Sequence, residues 1–362
     1  MNMAIKLLIR RWTEIVPFLA LLLYLLIPES YPGWYNLVLI GGLISAVLVA
    51  VHHAEVVAHK VGEPFGTLVL AIAVTTIEVA LIVSLIMAGG PGTETLARDT
   101  IFAAVMVILN AITGLCLLVG GLRHKEQSFG LDGMSASLVA LLTISFLTMV
   151  LPNFTTTQTG PTYSTTQLIF VGIVTLIIYL SFVFVQTVRH RDYFLPAIGE
   201  EDSEVHAAPP STKASVISLV LLLLSLVAVV LLGKSLSPVI ESTVSDLGAP
   251  KSLVGIIIAM VVLMPEGLAA YRAAINNRLQ TSLNLALGSA LASIGLTIPV
   301  VAGVSILMDF DLVLGIDAKS TVLLLLSLLV VMMSLRTGRT NVLQGIVLVL
   351  LFFVYLFVTI FP

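Results

Sequence analysis

Apolar residues run along this chain in long stretches, each closed by proline, glycine or a charged residue. About 20 apolar residues in a helix cross a hydrocarbon core about 30 Å thick. The pattern predicts eleven such helices, near residues 14–28, 35–58, 64–88, 99–121, 133–152, 165–187, 214–233, 252–273, 281–305, 319–335 and 341–361. The first is short and follows Arg10 and Arg11, as a signal peptide would. No small-x-small cleavage site follows Pro28, so it reads as a retained span.

The basic residues orient these spans. With the N-terminus in the cytoplasm, Lys6, Arg10, Arg11, Lys60, Arg123, Lys125, Arg189, Arg191, Lys213, Arg272, Arg278, Arg336 and Arg339 fall inside. Arg98, Lys234, Lys251 and Lys319 fall outside. Thirteen against four is a strong positive-inside bias, and dropping one span would scramble it. The C-terminus is then outside, and all six histidines lie inside.

Composition closes off other classes. Of 362 residues 58% are hydrophobic and only 10% charged, with mean hydropathy +1.12. Soluble chains carry about 25% charged residues, so a soluble protein, a nucleic-acid binder and a disordered chain are excluded. The net charge of −3 says little, because the charges sit in short loops. Cys116 is alone in an apolar segment, so neither a disulfide framework nor a thiolate metal cage is available.

The longest inner loop, about 188–213, carries Asp192, Glu200, Glu201, Asp202 and Glu204, then Pro209 and Pro210. It is either a solvated linker or a cytosolic acidic element that concentrates or senses cations.

Two acids stand where none is expected. Of twenty Asp and Glu residues, eighteen fall in loops or at span ends; Glu78 and Glu266 lie well inside spans three and eight. At about 1.5 Å per residue, Glu78 is near mid-membrane and Glu266 somewhat nearer the cytoplasmic end. Such a carboxylate costs a few kcal/mol at least, so it faces a cavity, a partner or an ion. Desolvation also favours its protonated form. Span eight comes five spans after span three, and an odd displacement means that the two helices cross the membrane in opposite directions.

Spans two to six and seven to eleven then form two five-helix halves, each with its Glu on its second helix, the sequence signature of an inverted repeat with an ion site at the midplane. The expected organisation is all-α: an N-terminal extra helix (1–33), a first repeat (34–187), the acidic loop (188–213) and a second repeat (214–362). Thr75 and Thr76 precede Glu78, and Pro265 and Gly267 flank Glu266, so both Glu helices are expected to be disturbed locally. A carbonyl freed by proline is a ligand for a hard cation.

The helices that follow add polar atoms: Asn110 and Thr113 with Gly114, then Ser289, Ser293 and Thr297 with Gly288 and Gly295. Small residues also serve close helix approach, but a mid-span amide such as Asn110 wants a partner. His52, Glu55, His59 and Glu63 share a helical spacing at the inner face. They form a metal site, a solvated helix end or a gate for cytoplasmic access, and the solvated end is the plainer reading. The histidines are far from the mid-span serines, so a hydrolase is excluded. A channel would need a continuous polar stripe, and the chain offers isolated polar residues.

The strings HHAEVVAHKVGEPFGTLVLAIAVTTIEVAL and PEGLAAYRAAINNRLQTSLNLALGSALASIGLTIP resemble the two repeats of the calcium/cation antiporter superfamily, in its cation/proton exchanger branch. Gly62-Glu63 fifteen residues before Glu78, Asn277, Leu287-Gly288-Ser289, Pro299 and the Gly-Arg-Thr-Asn of 338–341 carry the likeness, nearest to the bacterial Cha-type antiporters. The resemblance implies a cation site built from Glu78 and Glu266 and completed by helix groups such as Thr75, Asn110, Ser289 and Ser293. It implies transport of Ca2+, Na+ or K+ against protons, with no cofactor, in a bacterial cytoplasmic membrane. Partners are inorganic cations and lipid, not nucleic acid; a homo-oligomer is compatible with it. The branch's Gly-Asn before each Glu is replaced by Val74-Thr75 and Val262-Leu263, and a common Gln by Ala292 beside Ser293. Fewer amide ligands leave room for sodium or potassium as well as calcium.

Overall fold

The computed structural model describes residues 11–28, 33–62, 65–88, 93–195, 210–246, 248, 250 and 252–361. The chain is built from helices: α1 (Trp12–Leu25), α2 (Tyr35–Val61), α3 (Phe65–Ala88), α4 (Thr93–Met106) and α5 (Thr113–His124) come first. Then follow α6 (Leu131–Ser145), α7 (Thr165–Phe184), α8 (Thr212–Asp246), α9 (Ser252–Val262), α10 (Met264–Ile275), α11 (Leu279–Met308), α12 (Ala318–Leu335) and α13 (Val342–Ile360). Two three-residue strands, β1 (Glu126–Ser128) and β2 (Arg339–Asn341), pair antiparallel. In lipid every backbone group must be satisfied within its own segment, which is why long apolar runs resolve into helices.

Among the described residues eight helical segments are long and apolar enough to cross a membrane, nine if the bent pair α9–α10 is one span. Two shorter apolar helices, Trp12–Leu25 and Ile72–Ser84, coincide with the first and third stretches expected from hydropathy. The expected all-α polytopic fold is what the chain adopts. One boundary differs clearly: the stretch ended at 233 continues as α8 to Asp246, through Lys234 and Pro238. A glycine inside a helix costs only about 1 kcal/mol, and Gly233 has a tertiary use, since a Cβ there would meet Leu81.

The chain divides into two compact units that interleave along the sequence: Met1–Ala88 with Glu204–Leu247, and Gly89–Ser203 with Gly248–Pro362. In the first, α2 packs on α1, α3 and α8, and α8 also meets α1 and α3. Leu39, Leu43, Ala46, Val47, Ala50 and Ala54 bury one stripe of α2, and Ser225, Ala228, Val229, Leu232 and Leu236 one stripe of α8. That spacing of three and four is the packing face of a helix.

In the second unit the core is α4, its π-helical continuation Val107–Ile112, and α5. This span is the most enclosed of the candidates, with 78% of its apolar window buried. Around it stand α9, α10, α11 and α13, and α11 in turn packs on α6 and α7. Backbones come together where glycine allows: a Cβ at Gly345 would meet the backbone of Leu117 and Leu118, and one at Gly295 would meet Tyr179. Outward, α7 presents Ile169, Phe170, Ile173, Ile177, Leu180 and Phe184, an apolar face that suits lipid rather than water.

Candidate functional site

The two mid-span carboxylates belong to different units, Glu78 to the first and Glu266 to the second. Glu78 is 3% exposed and Thr75, one turn earlier on the same helical face, is also buried. The expectation that Thr75 and Thr76 disturb this helix is not met. α3 runs from Phe65 to Ala88 without a break. The Thr76 hydroxyl donates to the Ile72 carbonyl at 2.7 Å, a bond to the preceding turn that a helix absorbs with at most a slight bend.

The second Glu helix is broken, as expected from Pro265. α9 and α10 meet at an angle of 56° around Leu263. Proline cannot donate to the carbonyl four residues back, that of Val261, and its ring crowds it; Gly267 N–H resumes the ladder on the Leu263 carbonyl at 2.9 Å. Glu266 therefore stands, half-buried, in the first turn of α10. There the unpaired N–H groups and the helix dipole favour negative charge. Glu78, in mid-helix, has no such help from its own backbone.

Asn110 is fully buried on the π-turn between α4 and α5. That turn packs on α10 and α11, so the unit brings the Asn110 segment beside the helix of Glu266 and the helix of Ser289 and Ser293. Ile112 on the same turn faces Gly267, next to Glu266. Asn110 Nδ2 donates to Ser327 Oγ at 2.9 Å and to the Met106 carbonyl at 3.2 Å. Its Oδ1 has no hydrogen-bond partner among the described residues. Such a buried acceptor costs about 1–3 kcal/mol, and π-turns collect at functional sites. Ser293 is buried and Ser289 half-buried. The Thr113 hydroxyl is spent on the backbone, donating to the Ile108 carbonyl at 2.8 Å. Gly288 has nothing within 4 Å of its Cβ direction, so it is not a close-approach residue; Gly114 and Gly295 are.

The inner-face cluster resolves in part. His52, Glu55 and His59 lie on the exposed side of α2. Glu63, Glu200, Glu201, Asp202 and Glu204 lie outside the described residues. Among those described, no three His, Cys, Asp or Glu side chains gather to hold a metal. The histidine that stands out is His53, which sequence reasoning passed over. It is buried, with Nε2 3.0 Å from the Thr13 carbonyl and Nδ1 3.3 Å from Ser218 Oγ. A carbonyl can only accept, so Nε2 carries a proton and donates to Thr13. His53 thereby ties α1 and α8 to α2. The other residue missed is Ser327, a lone hydroxyl in a leucine run whose only signal was its isolation.

The sodium/calcium exchanger protein family matches residues 31–188 and 217–361. The protein y4hA of Sinorhizobium fredii, named as an ionic transporter, is 49% identical over 89% of this chain and 87% of its own. The sodium-potassium/proton antiporter ChaA of Escherichia coli is 34% identical over 89% and 87%. Among solved structures, native YfkE superposes with a TM-score of 0.73 at 17% identity, covering 97% of this chain and all of that one. An H+/Ca2+ exchanger, CAX, gives 0.70 at 17% identity over 95% and 86%.

Proposed function

The chain belongs to the sodium/calcium exchanger protein family, and from that premise we propose that it exports Ca2+, Na+ or K+ from a bacterial cytoplasm in exchange for protons. It is a multi-pass membrane transporter and a cation exchanger, not an enzyme. The observation that carries the finer reading is the pair Glu78 and Glu266, one buried in an unbroken helix and one at the start of a helix that follows a break. Both carboxylates take cation and protons in turn, and alternating access carries them between the two faces. Asn110, Thr75, Ser289 and Ser293 supply neutral oxygens, the ligand type hard cations prefer. The sodium-potassium/proton activity in the name of the 34% identical relative supports monovalent ions beside calcium.

Everted vesicles test this directly. Calcium, sodium or potassium is added to vesicles holding a pH gradient, and at least one ion should dissipate it. Silence to all three, with the protein present in the membrane, would overturn the reading.

Two further results are expected. In a protein lacking Cys116, the Ser203→Cys and Thr157→Cys variants should react with an impermeant thiol reagent from opposite faces. Labelling of both from one face contradicts the orientation read from the basic residues. Neutralising Asp192, Glu200, Glu201, Asp202 and Glu204 together should shift apparent cation affinity or pH response severalfold and leave exchange intact, because water and salt screen charges outside the membrane.

A further inference from the structure

At one end of the second unit, α4, α9, α12 and α13 enclose a pocket of about 170 Å³. At about 30 Å³ per molecule of liquid, that is room for several waters. Its wall is charged. The Arg98 guanidinium holds Asp99 at 2.8 Å and donates to the Gly315 carbonyl at 3.2 Å, while Thr95 donates to the other Asp99 oxygen at 3.1 Å. Its floor is aromatic, with Phe102 and Tyr355 edge to face at 5.6 Å between centroids.

Two helical stripes lead down from this mouth. On α4 and the π-turn that continues it, Asp99, Phe102, Met106 and Asn110 follow one another at spacings of three and four. On α12, Ser320, Leu323 and Ser327 do the same, and Ser320 and Leu323 line the pocket. The stripes converge on one contact, because Asn110 Nδ2 donates to Ser327 Oγ at 2.9 Å. By helical rise, Ser327 lies about 10 Å below Ser320 and Met106 about 10 Å below Asp99, with Asn110 on the π-turn beyond it. Met106 closes the space between, its sulfur 3.8 Å from both Asn110 Nδ2 and Ser327 Oγ. At the foot, Asn110 Oδ1 is buried without a hydrogen-bond partner among the described residues.

We propose that this pocket is the outer mouth of a water and proton route that runs inside the second unit to Asn110. It rests on the reading that Asn110 belongs to the transport site and that Arg98 lies on the outer face. A merely structural pocket would need only the ion pair at its rim. It would not need an unsatisfied amide at the end of the same stripe. Between the pocket floor and Asn110 stand the Phe102–Tyr355 pair and Met106, and methionine is unbranched and adapts its shape readily. Protons entering an exporter of cations come from the outside, which is the face this mouth serves.

Silver-ion access tests the route without depending on transport. Full-length protein carrying Cys116→Ala and one of Ser320→Cys, Leu323→Cys or Ser327→Cys is treated with external Ag+ in right-side-out vesicles. It is then denatured and labelled with a fluorescent maleimide. Silver should block Ser320→Cys and Leu323→Cys at once, and Ser327→Cys fully but at least tenfold more slowly. Adding Phe102→Ala should speed the last reaction at least tenfold. The buried Cys116 of the parent protein is the unreactive reference. If Ser327→Cys stays as inert as Cys116 even with Phe102→Ala, the pocket is blind and the route is wrong. Reaction at Ser320→Cys only from the inner face also overturns it as a proton entrance. Neither result touches the roles of Glu78 and Glu266, which are read from vesicle transport.

Discussion

Glu78→Gln or Glu266→Gln is expected to abolish cation-dependent proton movement, by at least a hundredfold in rate, while the protein still inserts and folds. Around these two acids the spans carry no Lys or Arg at mid-membrane to balance them. The charge must therefore be cancelled by protons or by a transported cation. One divalent ion replaces two protons with no change of charge, whereas one monovalent ion leaves either a proton bound or a charge exposed. On the proposed mechanism, two ionised carboxylates holding neither proton nor cation are too costly to carry across a low-dielectric barrier, which is what would make exchange obligatory. Glutamine keeps the shape and hydrogen bonding of glutamic acid and cannot ionise. It should leave stability equal or higher, because it removes the desolvation cost of a carboxylate. Vesicle transport and a melting curve of the same preparation check the two halves of this statement. Near wild-type exchange of calcium or sodium by either variant would falsify the coupling role of that residue.

The largest effect on stability is expected at Gly345. A Cβ there would run into the backbone of Leu117 and Leu118, and one at Gly114, across the same contact, would come within 2.9 Å of Val349 N. Backbone cannot rotate away as a side chain can. Gly345→Ala must therefore separate α5 from α13 or displace α5, at a cost of about 1–3 kcal/mol or more. α5 continues from the π-turn of Asn110, so a shift there also disturbs the candidate site. The control is Gly288→Ala, where nothing lies within 4 Å. Alanine gains about 1 kcal/mol in helix propensity, so that variant should be neutral or slightly more stable. Thermal unfolding in detergent, with vesicle transport alongside, separates the two outcomes.

How much of this was legible beforehand varies by element. The helices were readable because a bilayer demands about 20 apolar residues per crossing, and the break at Glu266 because proline carries its own chemistry. Glu78 and Glu266 stood out since a carboxylate in an apolar span has few innocent explanations. The unbroken α3 was misjudged: threonine has two ways to spend its hydroxyl, and only the folded backbone shows that Thr76 took the bond to Ile72. The extension of α8 past Gly233 was hidden because the reason for the glycine, Leu81, is on another helix.

The amino-acid order by itself determined the membrane class, the apolar helices and the two odd carboxylates, since each depends on the local cost of placing a residue in lipid, and its repeat strings carried the resemblance to the family. Only tertiary structure decided the interleaved units, the π-turn under Asn110, the Asn110–Ser327 pair, the buried His53 and the pocket beside Asp99. The Asn110–Ser327 bond alone joins residues 217 positions apart. A hydrogen bond or a glycine contact between distant segments leaves no periodicity in either one, so it becomes visible only when the packing is complete.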